Sequence, residues 1–132
     1  MIKRTLGFVA TVCVAAGLLQ AHHSLAGVYD MKAEKEVSGT VEKIQFTNPH
    51  GSLSVSVKNA DGTATSWVMT LGSATALAQR GVGKTGPNAL HVGDSITVKF
   101  IPAKDGHPLG FLKSVTYADG HVIVVSGGNP ND

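Results

Sequence analysis

A small all-β domain is the fold class that the 132-residue sequence predicts, and three observations carry it. Sixteen glycines punctuate a chain too poor in Leu, Glu and Lys for a helical bundle. Short runs alternate apolar and polar residues with period two, as strands with one buried and one wet face do. Asp-Gly pairs at 61–62 and 119–120 stand between such runs, where hairpins turn.

Val37 to Phe46 reads as the first strand, and its alternation slips. Val37, Gly39 and Val41 share one parity, whereas Ile44 and Phe46 have the other. A β-bulge near Glu42-Lys43 reconciles the halves and bends the strand as a small barrel requires. Thr47-Asn48-Pro49-His50-Gly51 is a turn: Pro49 fixes its own φ and holds Asn48 extended, and Gly51 is free to take positive φ. In the second strand Leu53, Val55 and Val57 face inward and serines face out. Asn59-Ala60-Asp61-Gly62 turns the chain into a third strand with Trp67, Met69 and Leu71 inside.

The period then changes. Ser73 caps a short helix whose Ala74, Leu77 and Ala78 share a face, and Gly81 ends it. A Gly- and Pro-rich loop over 82–89 leads to a fourth strand with Ile96, Val98 and Phe100 inside. After the loop Pro102 to Pro108, Leu109, Phe111, Val115 and Tyr117 mark the inner face of a fifth strand. Asp119-Gly120 predicts a type I′ hairpin into Val122–Val125. Three strands, one short helix and two or three further strands is the order of an OB-like β-barrel of five to six strands. A small β-sandwich is the alternative, sharing the strands without needing the helix.

Residues 1–21 have the layout of a secretory signal peptide: Lys3 and Arg4, an apolar run from Leu6 to Leu19, and Ala21 at the boundary. The run is shorter than the roughly 20 residues of a membrane span. The expected organisation is therefore a leader over 1–21, a single β-barrel domain over 22–126, and a flexible polar tail over 127–132. Periplasmic or secreted localisation follows, with no membrane anchor after cleavage. Cys13, the only cysteine, leaves with the leader, and Val12 stands where a lipoprotein cysteine wants a small residue. Without Lys3 and Arg4, nine basic residues face nine acidic ones, so no nucleic-acid footprint remains.

Ala78 to Thr85 loosely matches a phosphate-binding loop, but a helix leads into it and Gly86-Pro87-Asn88 leads out, the reverse of what phosphate binding needs. Ser24 has no nucleophile elbow, and the carboxylates are scattered over turns and wet faces, so no enzyme is expected. The histidines carry the remaining chemistry. Cleavage after Ala21 makes His22 the first residue, whose α-amine and Nδ1 close a six-membered chelate on a metal ion. One further imidazole completes a T-shaped three-nitrogen site, which suits Cu(II) best. His23 is adjacent, and His50, displayed between Pro49 and Gly51, is the preferred partner. The metal ligands expected are thus His22, His23 and His50, with copper as the cofactor. Against this stands a plain reading: a polar pair at a flexible end, and a turn whose His50 and Asn48 bond the backbone. His107 and His121 default to exposed loop positions, and His91, beside Gly93-Asp94, to a structural one.

His22-His23-Ser24, Tyr29-Asp30, Gly39-Thr40-Val41 and Asn48-Pro49-His50 run in the order of a known bacterial family, as do Trp67, Leu77, Arg80-Gly81, Gly93-Asp94, Pro102, Gly106 and Asp119-Gly120. The chain resembles this small exported family of unknown function, whose mature proteins open with His-His-Ser and carry Asn-Pro-His. The resemblance implies an exported β-domain without an established activity. The family often carries an acidic residue two positions after the tryptophan, where this chain has Met69. Two functions from different classes remain: Cu(II) binding through His22, His50 and His23, or a metal-free module whose barrel binds a periplasmic protein or a saccharide.

Overall fold

The computed structural model describes residues 26–126. Its longest strand, β1 (Lys35–Gln45), serves two neighbours: the first half pairs antiparallel with β4 (Ser95–Pro102), the second with β2 (Ser52–Lys58). β2 forms a hairpin with β3 (Ala64–Thr70), and β4 pairs antiparallel with β5 (Leu109–Thr116). A parallel pairing of β3 with β5, from Val68–Leu109 to Thr70–Phe111, closes the five strands into a barrel. That closure decides for the OB-like barrel over the sandwich. A sixth strand, β6 (Val122–Val124), adds to the remaining length of the same β5 edge. No helix among the described residues is long and apolar enough to cross a membrane.

The slip in β1 is a bulge. Val41 pairs with Val55 and Lys43 with Ser54, leaving Glu42 as the extra residue. The bulge lets Val41 on one side and Ile44 on the other both face the core, and Glu42 turns out to accept a 2.7 Å hydrogen bond from Ser66 Oγ. β2 and β4 follow their alternation: Leu53, Val55, Ile96, Val98 and Phe100 are buried. Trp67 is half-buried, tilted against Phe100 at 5.2 Å between ring centroids, with the Lys35 ammonium over its face at 5.1 Å.

β5 departs from its expected face. Lys99 pairs with Ser114 but Phe100 with Leu112, so Lys113 is a second bulge and the parity switches there. Leu112 joins Val115 in the main core, and Phe111 turns to the other side, where it packs with Tyr29 and Ile101. Tyr117 lies just past the strand and is half-buried, while Leu109 is exposed.

Helix α1 (Ala74–Gln79) joins β3 to β4. Ser73 Oγ accepts from the Ala76 N–H at 3.1 Å, the N-cap bond its sequence predicts. At the other end Gly81 has φ +72°, with Gly81 N–H on Ala78 O and Val82 N–H on Leu77 O, a Schellman arrangement. Leu77 and Val82 are thereby both driven into the core, whereas Ala78 is exposed instead of sharing the buried face. α1 leads into the Gly83-Lys84-Thr85 stretch and no helix follows it, so the phosphate-loop match has no structural counterpart.

Neither Asp-Gly hairpin is of type I′, the type expected at Asp119-Gly120. A type I′ turn needs positive φ at the Asp as well, and no described non-glycine residue has it. Asn59 N–H instead bonds Thr63 O, and Tyr117 N–H bonds His121 O, which defines three-residue loops. Gly62 and Gly120 take φ +86° and +90° at the end of an ordinary type I turn.

Candidate functional site

His50 sits in the β1–β2 loop, and the loop is pinned on both sides. Thr47 Oγ1 donates to His50 O at 2.8 Å, and Thr47 O accepts from Ala74 N–H at 3.2 Å. Gly51 N–H bonds Gly72 O, and Gly51 O accepts from Leu71 N–H. Gly51 does not use the positive φ expected of it; a Cβ there would stand 2.4 Å from Gln45 O. Glycine is required for close packing, which seats the loop against the end of β3. The Asn48–Pro49 peptide is cis.

The His50 side chain is exposed, and its ring bonds no described residue. The other described histidines differ. His91 Nε2 is 3.0 Å from Lys84 O and its Nδ1 faces Asp94. His121 Nδ1 contacts Asp119 Oδ1, its Nε2 is 3.1 Å from Asn88 Oδ1, and its ring stacks on Tyr117 at 4.3 Å. Asn88 Nδ2 donates to Arg80 O, so the amide oxygen is the atom that faces His121. Neither nitrogen of His121 is left for a ligand. His107 Nδ1 lies 2.9 Å from Asp105 Oδ2, and its Nε2 has no described partner.

Asp105-Gly106-His107 and Asp119-Gly120-His121 are one device used twice. In each the carboxylate accepts the histidine N–H two residues on, the glycine takes positive φ, and the ring returns to the same carboxylate. The backbone N–H, followed by the ring, holds both carboxyls below the ordinary aspartate value. Both histidines default to simple exposure in the sequence; the shared Asp-Gly-His tripeptide is the signal that marks them. Beside the second tripeptide, Tyr117 donates to Asn88 O at 2.7 Å, and burial, with help from the Asp94 charge, pushes its phenol up to about 12.

His22 and His23 lie outside the described residues, and so do the expected leader over 1–21 and the expected tail over 127–132. The segment that leads back to them is moored on the barrel. Asp30 N–H bonds Pro102 O, Lys104 N–H bonds Val28 O, and Tyr29 bridges Ala103 between them. The Tyr29 ring meets Phe111 edge-on at 5.9 Å, and its hydroxyl is 2.7 Å from Thr70 Oγ1. Thr70 is the cross-strand partner of Ser52, two residues after His50. The N-terminal segment and the His50 loop thus meet the same end of β3. Among the described residues, no three His, Cys, Asp or Glu side chains converge to hold a metal ion.

No curated protein and no solved structure matches the chain. A family model matches residues 9–113, the greater part of the sequence, and the chain belongs to that family of unknown function, DUF6152.

Proposed function

We propose that this is an exported Cu(II)-binding protein, with the α-amine and imidazole of His22 and the imidazole of His50 as ligands and His23 alongside. The supporting observation is the exposed ring of His50, which bonds no described residue, on a loop pinned beside the end of β3 where the Thr70 hydroxyl anchors Tyr29. His22 lies seven positions before Tyr29, which the barrel holds through Ala103 and Thr70. Three nitrogens in tetragonal geometry favour Cu(II) among divalent ions.

His107 is the competing third ligand on one specific ground. Asp105 fixes its Nδ1 and leaves Nε2 open, the carboxylate–histidine pairing found behind many metal ligands. Its loop also contains Lys104, which bonds the N-terminal segment at Val28. Cu(II) affinity measured by competition with a chelator of known strength tests the assignment. His50→Ala is expected to weaken binding about 100-fold or more, and His107→Ala to leave it within about threefold. Equal affinity in His50→Ala and the parent overturns the assignment to His50.

A further inference from the structure

A second candidate site lies on the outer face of the barrel, where β1 leaves β2. The two strands part after the Thr40–Ser56 pair: β1 continues along β4 and β2 along β3. Gly39 stands at the parting, and only the absence of a Cβ lets β1 pass so close to the Ser56 carbonyl. The result is an open groove of about 510 Å³ that crosses from β2 to the end of β5.

Hydroxyls line this groove in a regular array. Thr40 is the cross-strand partner of both Ser56 and Ser95, and Thr97 of both Ser38 and Thr116. These are two rows of three, each row crossing three strands on the solvent side of the sheet. Ser38 and Thr97 bond each other at 2.7 Å; the hydroxyls of the other four bond no described residue. Each can donate and accept. Lys58 is the one basic residue in the lining, and no carboxylate is part of it. At the far end the groove shares Ser95, Ile96, Tyr117 and Ala118 with a hollow of about 280 Å³ that adds Asp94, Asp119 and the His121 ring stacked on Tyr117.

Each candidate ligand class needs different chemistry. A nucleic acid or other polyanion needs several cations, and one lysine is present. A peptide anchored by its side chains needs apolar pockets, and Ile96 is the only large aliphatic residue in the lining. A neutral saccharide offers hydroxyls that donate and accept equally, as the hydroxyls of the two rows do. We infer that this groove binds a neutral saccharide chain. The site is independent of the histidine ligands and works without metal.

The test is an amide-resolved NMR titration of the protein in EDTA with maltopentaose, cellopentaose and N-acetylchitopentaose, each to millimolar concentration. At least one sugar is expected to shift the amides of Ser38, Thr40, Ser56, Thr97 and Thr116 as a group. Thr97→Val with Thr116→Val keeps the side-chain volumes and is expected to weaken that binding by about tenfold or more. Ser56→Ala, on the other row, provides a second variant if the first disturbs the fold. Silence with all three sugars, shifts centred on the His50 loop, or undiminished binding in both variants overturns the inference. Because EDTA is present throughout, none of these outcomes bears on the copper reading.

Discussion

Gly39→Ala places a methyl group 2.1 Å from the Ser56 carbonyl oxygen and 2.9 Å from both its carbonyl carbon and Val55 Cγ1. Cβ atoms essentially never come nearer than 3.0 Å to such neighbours, so β1 must shift by most of an ångström. The obstacle is the backbone of a paired strand, which has no rotamer to give. Either the Thr40–Ser56 pairing or the Gly39–Ile96 pairing must yield. Overpacking of this kind costs about 1–3 kcal/mol, and a rigid obstacle puts the cost in the upper half of that range. For a domain near 100 residues, a loss of about 2–3 kcal/mol lowers Tm by roughly 10–20 °C. Thermal and urea unfolding followed by circular dichroism read the effect, with the urea slope unchanged. Gly27→Ala is the control, since a Cβ there meets nothing within 4 Å. A Gly39→Ala protein melting within about 2 °C of the parent would refute the close crossing of β1 and β2.

Leu77→Ala empties the position through which α1 fills the barrel end and is expected to cost about 2–5 kcal/mol in urea unfolding. Tyr29→Phe removes the bond to Thr70 and leaves the Phe111 contact; hydrogen exchange over 28–30 should quicken while the barrel strands stay protected. The Tyr117 phenol is raised in the folded state to about 12 from an ordinary value of 10.0. Its contribution to stability is therefore complete below pH 10.0 and is lost as pH rises toward 12, and Tyr117→Phe should flatten that alkaline limb of the urea midpoint. Asp119 runs the other way: its lowered folded value makes its contribution present above 3.8 and lost as pH falls below it, so Asp119→Asn should flatten the acid limb.

Legibility in the sequence followed the strength of the local pattern. Leu53 and Val55 alternate with serines, and the bulge at Glu42 shows as a slip of parity between Val41 and Ile44. The bulge at Lys113 leaves no such trace: Phe111 and Leu112 are both apolar, so either can be assigned to the core. Asp-Gly marks a hairpin without fixing its type, because the glycine takes positive φ in both arrangements and the count of loop residues decides. His50 was readable as a displayed turn residue. That its ring bonds no described residue while His121 is held at both nitrogens depends on the fold, which brings Asn88 to His121 from 33 residues away. The groove was hidden for a related reason. Its hydroxyls come from four strands, each of which reads only as a wet face until the barrel closes.

The proposed copper binding at His22 and His50 is tested most directly by Cu(II) EPR titration of tag-free protein that begins at His22. One tight equivalent is expected, with tetragonal parameters and hyperfine structure from three nitrogens, lost when one residue is added before His22. Weak, heterogeneous signals, or a tight site indifferent to that added residue, would contradict it.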